Sequence, residues 1–471
     1  MKNRRLALFT PFILILAINC NIDLPWEKKN RGNSDQMLGL GLALLSLSNN
    51  PQAREPRPFR GRSLAIYSSG TSVYDWNNDA NIGTLADLNS VTNFPVESEN
   101  GRFAFANIGN TQFRVADSGL NLSPHGDHYH VDKSNPSLIL TSRLSLNLGT
   151  PVSVFSKNGK ASFVFANGNV RFLEEKNIIS QSNPTLESLG NVPTITNQST
   201  VVWLNASKAV ATNGNAFRFY TNRTAGTTET PANAPNCVNP GYPATHQTPI
   251  STQSYSNLNL EFSYNHTIVY PCDNGTSIIR HADSDNTGAG TYSFQTVGSN
   301  RNTNWKPLFR NNNYSVFGRN TKPIFFGNQG SDEETSLLRL DAETGTIRTL
   351  TSLPYRSQNF ATEEMLGKQI AILRNDGVVS VYDADTLTLI RDLRFLPGDV
   401  VLTGTDAPKL YSTWNACFVL YVDSKGVYSI QEINLEEALT TRKVTLESKP
   451  LALTFHIARM KGADYEGPAH Q

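Results

Sequence analysis

Three of the chain's eight histidines fall within one stretch, Pro124–Val131, which reads Pro-His-Gly-Asp-His-Tyr-His-Val. His125, His128 and His130 make an H-x-x-H-x-H pattern there. Neutral imidazole nitrogens that converge bind a borderline-soft divalent ion at roughly 2.0–2.1 Å, zinc above all. Convergence depends on local structure. An extended segment from Asp127 to Val131 sets His128 and His130 on one side of a strand, and a turn over Pro124-His125-Gly126 folds His125 back over them. Asp127 then falls on the opposite side, where a carboxylate fixes the tautomer of an imidazole rather than binding the ion. No Gly-x-Ser-x-Gly, phosphate loop or His-Glu-x-x-His accompanies the trio, so the residues read as ligands and not as a catalytic centre. His266, His281, His456 and His470 have no such neighbours and read as structural or exposed.

The elements that must position the trio follow from the rest of the chain. Its start, with Lys2, Arg4 and Arg5 before an apolar run from Leu6 to Ile18, is a signal peptide over 1–20, too short for a membrane span. Cys20 stands where an exported protein would be lipidated. The expected location is therefore the periplasm or the outer membrane, with membrane attachment only through a lipid anchor. Residues 21–61 read as a flexible linker. Charged residues are 17% and the formal net charge is +1, so no basic surplus points to nucleic acid. In an oxidising compartment a disulfide is expected among Cys237, Cys272 and Cys417, with Cys417, flanked by Ala416 and Phe418, reading as a buried core cysteine.

From Arg62 onward one unit recurs: an apolar strand, a Gly/Asn/Asp turn, then an alternating strand that often ends in an acidic residue. The alternating strands are 71–75, 111–117, 169–174, 216–220, 276–280, 336–341, 378–383 and 426–431. Spacings of roughly 40–60 residues are those of propeller blades. The fold expected over 62–460 is an all-β propeller, eight-bladed with seven as the alternative. Ser448–Ile457 should return beside Ser63–Tyr67 to close the ring. Asp-x-x-Thr turns at Asp341 and Asp383 fit hairpin reversals, and Asn434–Thr440 is the one stretch with a helical look. Residues 461–471 read as a disordered tail.

Several stretches resemble the AztD-type periplasmic zinc-metallochaperone β-propellers. His125-Gly-Asp-His-Tyr-His130 is similar to that family's H-G-D-H-x-H, and Thr150–Gly159 and Ala161–Val170 resemble its next blade. Cys237 to Pro249, with Ala244-Thr-His246, followed by Tyr270–Gly275, looks like the family's paired cysteines with a histidine between. The resemblance implies a Cys237–Cys272 disulfide, with His246 as a fourth metal ligand beside His125, His128 and His130. It further implies zinc as the bound ion and a zinc solute-binding protein as periplasmic partner. The chain departs from the family where Ser153 replaces a histidine two residues after Pro151, at Thr245 and Gln247 around His246, and in lacking a histidine-rich N-terminal tail. These departures leave an alternative in which the propeller is a lipoprotein scaffold for protein partners without metal transfer.

Overall fold

The alternating strands predicted from the sequence are strands, and each takes the same place in its sheet. In the computed structural model the described residues are 61–456 and 463–464, apart from 86–95, 99–100, 109–111, 126–127, 141–150, 158, 181–183, 197–198, 206, 222–225, 250–263, 284–289, 299–301, 308–321, 331–334, 354–356, 363–367, 414–415 and 436. The signal peptide with Cys20 and the linker to residue 60 lie outside them. The chain divides into two units, Met1–Glu55 and Pro56–Gln471, and everything described belongs to the second.

Among the described residues there are eight four-stranded antiparallel sheets and one three-stranded sheet. Numbered from the N-terminus, each of the eight carries one of the predicted alternating strands as its third: Gly70–Asp75, Gln112–Asp117, Asn169–Glu174, Ala216–Tyr220, Gly275–Asp283, Thr335–Asp341, Val379–Asp383 and Tyr428–Asn434. Apolar residues from consecutive sheets pack against one another all the way round. Leu64 and Val73 of the first meet Ala104 and Ala116 of the second, and Phe418 and Ile430 of the eighth meet Ala65 and Phe455 of the first. This is a β-propeller. Its ring closes as the sequence predicts: Ala452–His456 pairs antiparallel with Arg62–Tyr67, Phe455 opposite Ser63. Closure removes the long free edges that an open sheet would leave.

The turns obey the expected chemistry. Asp341 Oδ1 accepts from the amides of Glu343 and Thr344, and Asp383 Oδ1 from those of Asp385 and Thr386, so each carboxylate satisfies two backbone donors while the chain reverses. The helical reading of Asn434–Thr440 is corrected. Tyr428–Asn434 continues as strand, Asn434 Oδ1 accepts from the amide of Glu437, Ala438 turns at φ 49°, and Leu439–Thr445 follows as the outer strand. The side-chain bond from Asn434 competes with helix and wins. A short helix, Glu175–Ser180, appears instead after the third sheet's third strand. No helix of the described residues is long and apolar enough to cross a membrane.

Candidate metal centre

The histidine stretch is an insertion in the second sheet. Between that sheet's third strand, Gln112–Asp117, and its fourth, Ser137–Leu140, the chain makes a separate antiparallel hairpin of Leu120–His125 and His128–Lys133. The register makes His125 and His128 direct partners and sets His130 opposite Ser123. Directly opposed residues share a face, as do residues two apart on one strand, so His125, His128 and His130 all occupy one face of the hairpin. The sequence expectation of a turn over Pro124-His125-Gly126 is corrected, because Pro124 and His125 are strand residues. Only positions 126 and 127 join the strands, and Gly and Asp are residue types that such a two-residue connection takes. Asp127 itself lies outside the described residues.

The base of this hairpin is pinned by two arginines that sequence reading did not single out. Arg62, buried in the first sheet, donates from Nη1 to the carbonyls of Ser118 and Ser134, both at 2.6 Å, and from Nε to Asp75 at 3.3 Å. Ser118 and Ser134 flank the hairpin, so one guanidinium ties both its roots to a neighbouring sheet. Arg102 forms a two-pronged pair with Asp117, at 2.8 and 2.7 Å, and also donates to Asn121 Oδ1 at 2.7 Å. The chain can pass between these groups only as glycine. Gly119 stands at φ +75°, and a Cβ there would fall 2.3 Å from the Ser134 oxygen and 2.5 Å from Arg62 Nη1. The one visible signal is an arginine opening a mostly apolar strand, Arg62–Tyr67, all of it buried.

His246 lies elsewhere. It is on Ala244–Pro249, the first strand of the fifth sheet, opposite Thr267, whereas the trio belongs to the second sheet. Its strand adjoins the first strand of the sixth sheet, as first strands of other neighbouring sheets adjoin one another, so His246 occupies an axis-side strand. Ser153, where the resembling family carries histidine, is on the first strand of the third sheet, and its hydroxyl donates to the carbonyl of Ser199. That hydroxyl helps join two neighbouring sheets. Among the described residues no cluster of three or more His, Cys, Asp or Glu that could hold a metal ion is present; the trio is placed by backbone register alone.

Cys237 and Cys272 form a disulfide, with Cα atoms 5.2 Å apart. It fixes the long connection between the fourth and fifth sheets, which is laid down by further bonds: Cys237 N to Asn215 O, Gly241 N to Pro271 O, and Asp273 N to Val238 O. Tyr242 carries the connection on to the third sheet, its hydroxyl donating to Val154 O at 2.9 Å. A cross-link closing a loop of this length contributes about 3–4 kcal/mol through the entropy of the unfolded chain. Replacing both cysteines with serine should therefore lower stability by about that amount; an unchanged urea midpoint would show that the backbone bonds suffice. Cys417 is buried in the interface of the seventh and eighth sheets, where burial pushes its thiol up in pKa, as expected for a core cysteine.

His266 and His281 are direct register partners in the fifth sheet, both buried, with ring centroids 6.3 Å apart. Burial, then the nearby Lys157 and His281, push His266 down to about 3, so it is neutral at ordinary pH and structural. His456 is likewise buried, its Nε2 2.8 Å from Thr454 Oγ1.

Fold and site together define a β-propeller that carries a histidine hairpin as an insertion in its second sheet. Two solved structures of AztD from Citrobacter koseri share this fold. The apo form matches with a TM-score of 0.60 at 15% identity, and the other also with 0.60, at 17% identity; each match covers 85% of this chain and 99% of theirs. No family model matches the chain, and no curated protein matches its sequence.

Proposed function

We propose that this chain is an exported, lipid-anchored β-propeller that binds zinc through His125, His128 and His130 and buffers it or passes it to a periplasmic partner such as a zinc solute-binding protein. The observation that carries this reading is the hairpin register, which gathers three imidazole-bearing residues on one face. Three such residues with a further position to fill suit a site that exchanges its ion. Support also comes from the AztD-like fold and from the disulfide, which fits an oxidising compartment. His246, on an axis-side strand, is a donor that a transfer route along the ring would meet second, and Asp127 would orient a histidine from behind.

Protein stripped by chelation should take up zinc, and the H125A/H128A/H130A protein, with an unchanged melting curve, should not. Equal uptake by both would end the proposal. Ser153, engaged with Ser199 where the resembling family has histidine, favours a second reading: a lipoprotein scaffold that holds protein partners without metal. Such a scaffold would keep its partner in a pull-down with chelator present, whereas a zinc carrier would release it.

A further inference from the structure

The seam between the fourth and fifth sheets is built differently at its two ends. Its middle is apolar, with Leu204, Val210 and Phe219 from the fourth sheet's side packed in one cluster with Ile268 and Ile279 of the fifth. At one end Cys237 joins both sheets. Its amide bonds Asn215 O, in the turn between Ala209–Asn213 and Ala216–Tyr220 of the fourth, and its sulfur bonds Cys272, the last residue of Tyr264–Cys272 in the fifth. That end is stapled covalently.

The other end is lined by groups that ionise. Residues two apart on a strand share a face, so His266 and His281 continue the faces of Ile268 and Ile279 and stand in the same seam. The two are direct register partners, and Tyr292 is the partner of His281 on its other side, with ring centroids 4.7 Å apart. From the fourth sheet Lys208 brings its Nζ to 5.1 Å from the centre of the Tyr292 ring and 3.2 Å from Glu229. From the third sheet Lys157 sets its charge against His266. Lys157, Lys208, Tyr292 and Glu229 are therefore the charged and titratable groups that face the histidine pair among the described residues. His266, His281, Lys157 and Lys208 are all buried.

His266 stands six residues from Cys272 on one strand, about 20 Å at the rise of an extended chain, so the two ends can separate independently. Neutral rings suit the buried end. An imidazolium there would lose its hydration beside a second imidazole and two lysines, and admitting water relieves that cost. Resistance to opening is low on one side of the seam, because the fourth sheet's strands are three, five, five and two residues long. The two-residue strand, Thr228–Glu229, carries the carboxylate that pairs with Lys208. Few ladder bonds beside a polar lining mark a segment that opens at less cost than the whole fold.

We propose that this seam is an acid-responsive hinge: a proton entering the His266–His281 pair opens the histidine end of the fourth and fifth sheets, while the Cys237–Cys272 disulfide holds the other end and the ring stays closed. The hinge needs no metal and is independent of the histidine hairpin.

Hydrogen exchange of the full chain at pH 7, 6 and 5, with each rate divided by the intrinsic rate at that pH and each series repeated in low urea, reads the opening directly. Amides of residues 266–268 and 279–282 should open about tenfold more often for each unit below pH 6.5, the ordinary value of His266, as one proton is taken up. A local opening exposes little surface, so these rates should hardly depend on urea. Amides of Tyr270, Cys272 and residues 275–277 should exchange only through the urea-dependent unfolding of the whole ring. The H266Q/H281Q protein should lose the acid-driven rise, and the C237S/C272S protein should spread it to the amides at the Cys272 end. The proposal is overturned if the amides at the histidine end exchange only with the whole ring at every pH, if the double glutamine protein keeps the rise, or if the double serine protein still confines it to the histidine end.

Discussion

Changing Arg62 to methionine is expected to destabilise the propeller by about 3–5 kcal/mol, the range found when one partner of a buried charge pair is removed, and to weaken zinc binding along with it. Methionine keeps most of the apolar stem but none of the donors. Asp75, 1% exposed, would lose its cationic partner, although its Oδ1 would still accept from the amides of Asn77 and Asn78. The carbonyls of Ser118 and Ser134 would both lose the Nη1 donor. Those carbonyls sit at the two roots of the histidine hairpin, so the loss reaches the site as well as the core. R62K should fall between the two, because a single ammonium cannot reproduce the forked contacts of a guanidinium. Adding D75N to R62M should recover part of the loss by removing the stranded charge. A urea midpoint for R62M equal to that of wild type would show that the guanidinium carries little of the load.

What the sequence discloses and what it hides divide along physical lines. The third strands of the four-stranded sheets are most legible where they alternate apolar and polar residues and end in a residue that makes a turn, as Thr335–Asp341 does. Ring closure is legible too, since Ala452–His456 is a strand with no partner after it. First strands are harder: Val96–Glu97 and Val201–Trp203 are too short to show a period. The hairpin Leu120–Lys133 is disguised, because its alternation is that of a blade strand and nothing local says that it leaves the sheet. Arg62 is hidden for a different reason. Its partners are carbonyls 56 and 72 residues away, and backbone acceptors carry no mark in the sequence. The third strand of the hairpin's own sheet, Ala463–Asp464, is hidden most deeply, since its parallel pairing with His128–Lys133 joins stretches far apart in the sequence. The chemistry-bearing residues of the trio are thus readable by type and spacing. Their supports are not, because those depend on long-range register.

Acid should weaken the fold measurably well before carboxylates are titrated, and His266 should be a main cause. Its ring is buried between the strand of Gln247 and that of His281. Burial disfavours the imidazolium first, and Lys157 and His281 then oppose a further positive charge, so the folded-state value falls from 6.5 to about 3. In the unfolded chain the ring titrates at its ordinary value. Above pH 6.5 both states are neutral and His266 adds no pH dependence. Below it the unfolded state takes up a proton that the folded state refuses, so stability declines as pH falls, by about 1.4 kcal/mol per unit at the steepest. The decline should run from about pH 6.5 toward pH 3 and amount in full to on the order of 4–5 kcal/mol. H266Q keeps a polar side chain of similar reach and removes the titration. Urea unfolding of the two proteins at pH 7, 6, 5 and 4 should show wild type losing stability faster, with the curves converging toward parallel above pH 7. Parallel curves across the whole range would mean that the folded state accommodates the imidazolium, and that the polar ground around Lys157, His266 and His281 is wetter than its burial implies.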